Sequence, residues 1–139
     1  MFLSIRHLPQ KLCLNSNNNP VALNWDTEDV TDMSYMFYNT IFSGDISNWD
    51  TKNVTNMYSM FRGSQFNKNI SSWNTGSVTR MGRMFDGNTV FNYDLSGWCV
   101  GSVSDVVIKE DNTTSFSSTL PSNYRPDFGT ANNCPPVAP

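Results

Sequence analysis

Four tryptophans, Trp25, Trp49, Trp73 and Trp98, recur at intervals of 24, 24 and 25 residues. A fixed period of this length restricts the chain to a stacked-repeat architecture. A unit so short cannot close a core of its own and must bury its apolar residues against neighbouring copies. Aligned on the tryptophans, the first unit reads WDTEDVTDMSYMFYNTIFSGDISN and the second WDTKNVTNMYSMFRGSQFNKNISS. The third, WNTGSVTRMGRMFDGNTVFNYDLSG, carries one extra residue near Thr89 and Val90, and the fourth starts WCVGSVSDVV before the pattern fails. Apolar columns run through the alignment: Val30, Val54, Val78 and Val103; Met33, Met57, Met81 and Val106; Met36, Met60 and Met84, each followed by a phenylalanine; Phe42, Phe66 and Phe91; Ile46, Ile70 and Leu95.

Two periodicities share each unit. Met33, Met36 and Phe37 lie at i, i+3 and i+4, the spacing of a short helical face. Thr31, Thr55, Thr79 and Ser104 precede these segments, where a hydroxyl can cap free amides, and Gly63 and Gly87 fall where the second and third helices end. The segments around Ile46, Ile70 and Leu95 are short and bounded by polar turn residues, and predict strands of three or four residues. The fold expected is an α/β repeat with one short parallel strand and one short helix per unit of about 24 residues. Its organisation is an N-terminal cap or linker over 1–24, a repeat array over 25–106 (units 25–48, 49–72, 73–97 and a partial 98–106) and a C-terminal cap over 107–139.

An open stack exposes a hydrophobic cross-section at each end. Ile5, Leu8, Leu12 and Leu14 are candidates to cover the first unit, and Phe116, Leu120, Tyr124 and Phe128 the last. Cys99 and Cys134 flank the C-terminal segment and are expected to be bonded. The 35-residue loop from 99 to 134 would stabilise by about 4 kcal/mol in the chain-entropy account and implies an oxidising compartment. Cys13 is left over, either free or joining two chains as a disulfide-linked dimer.

Only 15% of the residues are charged, the net charge is −3 and the pI is near 4.8. A phosphate-backbone partner needs a basic stripe, which the scattered Lys and Arg do not supply. No apolar run approaches a membrane span. The N-terminal MFLSIRHLPQKLCLN lacks the long apolar core and small-residue cleavage site of a signal peptide. A single histidine, His7, and no CxxC argue against zinc. No cofactor is expected.

The pattern W-[DN]-T-x-x-V-T-x-M-x-x-M-F followed by F-[NS]-x-[DN]-[IL]-S-x-W resembles the mycoplasma-lipoprotein-type repeat, related to BspA-like leucine-rich repeats of bacterial surface proteins. The match runs from about Trp25 to Val106. The resemblance implies a right-handed, leucine-rich-repeat-like solenoid, surface display, adhesion or protein interaction, and neither catalytic residues nor a cofactor.

Several columns invite a functional reading beside an ordinary one. The tryptophans either form an exposed aromatic ladder, suited to stacking on sugars or gripping a partner, or turn back into the core. The core reading is favoured because large residues are mostly buried. The columns Asp26/Asp50/Asn74, Asp45/Asn69/Asp94 and Asp32/Asn56/Arg80 are either cation ligands or turn formers. Tolerance of Asn favours turns. The columns Thr27/Thr51/Thr75 and Ser47/Ser71/Ser96 read as hydroxyl ladders or caps rather than an ice-binding face. Asn53-Val-Thr55, Asn69-Ile-Ser71 and Asn112-Thr-Thr114 fit the glycosylation triplet. His7 has no orienting partner, so nucleophilic chemistry is not expected.

The chain is therefore expected to be a non-enzymatic surface or extracellular recognition and adhesion module that binds a protein partner. Its face would include Trp25, Trp49, Trp73, Trp98, Asn48, Ser72, Lys52 and Asn53, together with Glu28, Asp29, Gly76, Ser77 and Gly97. The alternatives are a structural spacer or capping segment of a longer array, and a glycan-binding module using exposed tryptophans. The expected partner is a protein or glycan on another cell or surface.

Overall fold

A computed structural model describes residues 3–4, 24–106, 116–117, 119–128 and 134. The proposed N-terminal covering residues, His7, Cys13 and Asn112 lie outside the described residues. Strand β2 (Val30–Asp32) pairs in parallel with β1 (Leu3–Ser4). The pairing continues up the units as single parallel bridges, Asp32 to Asn56 and Asn56 to Arg80.

Each unit is hydrogen-bonded to the next at nearly constant offset. Met33, Tyr35, Phe37 and Asn39 donate to the carbonyls of Asn56, Tyr58, Met60 and Arg62, and Met57, Ser59, Phe61 and Gly63 donate to those of Arg80, Gly82, Met84 and Asp86. The intervening amides close turns within the unit: Met36 to Met33, Tyr38 to Tyr35 and Thr40 to Phe37. This arrangement replaces the expected helix. A helix would direct these amides four residues back along its own segment, but here alternate amides face the neighbouring unit, as in a strand. Left-handed backbone at Tyr35 (φ 59°), Asn39 (53°), Ser59 (53°), Gly63 (63°), Arg83 (56°) and Gly87 (70°) interrupts any helical run. The hydroxyls of Thr55 and Thr79 do not cap helices either; they donate to the carbonyls of Thr31 and Thr55 one unit back.

The strands expected at Ile46, Ile70 and Leu95 are absent among the described residues, and the strand position is Val30–Asp32 instead. After Ile46 the chain reverses: Trp49 N–H donates to Ile46 C=O, and Trp73 and Trp98 repeat this with Ile70 and Leu95. The preceding Asp or Asn fixes that corner. Asp45, Asn69 and Asp94 each accept from the amide two residues on, at 2.9, 3.0 and 2.9 Å, the local turn for which these short polar side chains are suited.

The reversal sends the tryptophans inward. Trp49, Trp73 and Trp98 are only 4, 4 and 2% exposed, and Trp25 packs partly buried on the core. Consecutive rings stack at 5.9, 6.3 and 6.4 Å between centroids. The indole N–H of Trp73 donates to Ile46 C=O and that of Trp98 to Ile70 C=O, so these polar tips are satisfied one unit back. A second aromatic column, Phe37–Phe61–Phe85, stacks at 5.5 and 5.2 Å. Thr27, Thr51 and Thr75 are buried and donate to the carbonyls of Asp50, Asn74 and Cys99.

At the C-terminal end Phe116 lies edge-on to Phe85, and its carbonyl accepts from Phe85 N–H. Leu120 is buried, and Tyr124, in a turn of 3₁₀ helix at Ser122–Tyr124, receives Leu95 N–H on its carbonyl. Phe128 packs on Phe116, and a disulfide joins Cys99 to Cys134.

Candidate recognition surfaces

The buried tryptophans cannot form a solvent-facing ladder, so that part of the expected face is corrected. The turn at residues 46–49 directs the three later rings inward. Asn48, Ser72, Lys52 and Asn53 are exposed, but three of them already serve unit-to-unit contacts, Ser72 by donating its hydroxyl to Ser47 C=O at 3.5 Å. Lys52 Nζ reaches Glu28 Oε1 at 3.1 Å and Asp50 Oδ2 at 2.9 Å, and Asn53 Nδ2 donates to Glu28 C=O at 2.8 Å. Hydrogen bonds from the Lys52 side chain and amide hold the Asp50 carboxyl below its ordinary value, while Asp50 and then Glu28 raise Lys52. All three charges are exposed, so the cluster contributes little net stability.

The acidic columns are engaged in local turns. Asp26, Asp50 and Asn74 accept from the amides of Glu28, Lys52 and Gly76. The Asp45 carboxyl is lowered chiefly by the Ser47 backbone amide and the Asp94 carboxyl by the Ser96 side chain. No group of three His, Cys, Asp or Glu side chains converges among the described residues.

Two features stand out on the surface. The first is a strip formed by side chains at variable positions of the methionine segments. Arg62 lies 6.0 Å from the Tyr38 ring centre, Tyr38 meets Tyr35 edge-on at 5.9 Å, and Tyr35 meets Tyr58 at 5.6 Å. Arg80 sits 4.9 Å over Tyr58. The strip is closed at its two ends by Arg62–Asp86 at 3.3 Å and Arg80–Asp105 at 3.5 Å. A depression of about 350 Å³ between Ser34, Tyr35, Asn56, Tyr58 and Arg80 lies within it. Tyr35 is 40% exposed in left-handed backbone, a strained position for a bulky residue. Sequence reasoning missed this strip because it read the methionine segments as short helices and assigned these residues no place in the expected face. The legible signal was the pair between the two methionines of each unit, Ser-Tyr, Tyr-Ser and Gly-Arg, and the residue after the phenylalanine, Tyr38, Arg62 or Asp86.

The second feature is a polar cup of about 410 Å³ lined by Asp45, Ser47, Lys68, Asn69, Ser71, Ser72 and Tyr93. It includes Ser72 from the expected face.

Residues 9–124 match the model of a family described as Mycoplasma protein of unknown function, DUF285. The chain belongs to this family. No curated protein and no solved structure matches it. In this DUF285 member the family match spans all three full units, so the stacked core and both surface features fall inside the matched region. Among the described residues, no helix is long and apolar enough to cross a membrane.

Proposed function

We propose that the chain is a non-enzymatic recognition module, a short right-handed leucine-rich-repeat-like solenoid displayed outside the cell, that binds a protein partner through the strip Arg62–Tyr38–Tyr35–Tyr58–Arg80. The observation that carries this reading is the unbroken contact of three tyrosines and two arginines across adjacent units. Tyr and Arg are the side-chain types that concentrate binding energy in interfaces. Their mutual packing fixes their positions before a partner arrives, which lowers the ordering cost of binding. The regular unit-to-unit hydrogen bonding supports the solenoid form. The Cys99–Cys134 bond supports an oxidising, extracellular setting.

The purified chain, immobilised and screened against extracellular-matrix and cell-surface proteins, should capture a partner. The Tyr35→Gly/Tyr58→Ala double variant should then weaken that capture at least about tenfold, equivalent to about 1.4 kcal/mol. Glycine suits the left-handed backbone at position 35, so the variant keeps its fold. Equal capture by both proteins would remove the strip from the interface. Absence of any partner would leave the spacer role.

A further inference from the structure

A recognition strip does not account for the polar cup, which none of the strip's residues lines. Its walls come from three units, and the variation between them creates it. At one repeat position stand Gly44, Lys68 and Tyr93 in turn. Gly44 projects no side chain, whereas Lys68 and Tyr93 both line the space. Tyr93 is half-buried, and its ring rests on Phe91 at 5.8 Å, which fixes the aromatic wall. The corner turns fix the polar groups. Asp45 Oδ1 is held by Ser47 N–H, Asn69 Oδ1 by Ser71 N–H, and Ser72 Oγ by Ser47 C=O at 3.5 Å. The Ser47 hydroxyl also donates to the Asp45 carboxylate, and that carboxylate lines the space beside the Tyr93 ring together with the exposed Lys68, Asn69 and Ser71.

We infer that this cup is a binding site for a saccharide ring. Vicinal hydroxyls are both donors and acceptors, and they need acceptors and donors close together on a rigid frame. Asp45 supplies an acceptor that only a charged carboxylate makes strong. Asn69, Ser71 and Lys68 supply donors. An aromatic wall such as Tyr93 gives the apolar face of a sugar ring a surface to lie on. The volume is in the range of small-molecule sites, although the cup is open, so affinity in the millimolar range is expected for a single ring. The site is separate from the tyrosine–arginine strip and stands or falls independently of it.

Titration of the isotopically labelled chain with a panel of hexoses, N-acetylhexosamines and hexuronates, followed by amide and aromatic NMR shifts, tests the assignment. Saturable shifts at Ser47, Ser71, Ser72 and the Tyr93 ring are expected for at least one sugar in the panel. Asp45→Asn preserves the corner turn, as Asn69 does at the same position, and should weaken binding at least about fivefold while the amide spectrum of the folded chain is retained. Lys68→Ala, at an exposed position, should weaken it as well. Tyr93→Phe keeps the wall and should retain binding. The assignment is overturned if no sugar in the panel produces saturable shifts in the cup. It is equally overturned if binding is unchanged in both Asp45→Asn and Lys68→Ala.

Discussion

At the residue scale, the repeat holds equivalent positions in left-handed backbone whether or not the side chain suits it. Positions 35, 59 and 83 carry Tyr, Ser and Arg there, and positions 39, 63 and 87 carry Asn, Gly and Gly. Non-glycine residues pay roughly 1–2 kcal/mol at such a position. Ser59 is also fully buried, with no hydrogen-bond partner for its hydroxyl. Ser59→Gly is therefore expected to stabilise by about 1 kcal/mol, seen as a higher denaturant midpoint at unchanged slope. Gly63→Ala should do the opposite by at least about 1 kcal/mol, because a Cβ there would run into the Asn39 side chain. Asn88 shows how one residue absorbs an insertion. In the second unit Ser64 Oγ accepts from Phe66 N–H, two residues on. The extra residue of the third unit moves the phenylalanine one place further. The longer Asn88 side chain accepts from both Val90 N–H and Phe91 N–H while donating to Ser64 Oγ and Phe66 C=O. Asn88→Ala should cost about 3 kcal/mol in chemical unfolding, since it strands several buried groups.

At the element scale, the unit is built from corners rather than from helices and strands. The sequence made the contents of the core legible, since every position of its apolar columns between Val30 and Leu95 is buried, and Val103 and Val106 are half-buried against them. It misplaced the elements because i, i+3, i+4 spacing also arises from successive turns closed over three residues. What decided between them was the pairing of alternate amides with the next unit, a long-range effect that no local window contains. The turn reading of the Asp/Asn columns was available because Asp and Asn exchange freely there while cation binding would demand charge. That exchange also provides a test. Asp45, Asp50 and Asp94 each have a carboxyl pKa lowered on folding. Their contribution is fully present above the ordinary aspartate pKa of about 3.9 and is lost as pH falls through the lower folded values. Wild-type stability should thus decline on acidification below about pH 4. A triple Asp→Asn variant, copying Asn69 and Asn74, should show a shallower decline in a pH series of thermal melts. An unchanged acid limb would place the lost stability elsewhere.

At the scale of the whole molecule, the stack rests on few units, and the C-terminal segment closes it through Phe116, Leu120 and the Cys99–Cys134 disulfide. Reduction of Cys99–Cys134 should lower stability by up to about 4 kcal/mol, measured as a drop in unfolding midpoint with reductant. Adding a second copy of residues 49–72 after the first should raise the midpoint, because each new interface adds favourable energy to a near-linear array. Adding a second copy of 73–97 should not. In the first two units Asp32 and Asn56 cap the amides of Ser34 and Tyr58 within the unit. Arg80 has no acceptor to offer, and Asp105 of the following unit accepts from Met81 and Gly82 instead, at 2.7 and 3.0 Å. A duplicated third unit would face another Arg80 and leave the buried Gly82 amide without that acceptor. The substitution therefore works as punctuation: tandem duplication can lengthen such an array from within, whereas the third unit is written to be read last before the closing segment.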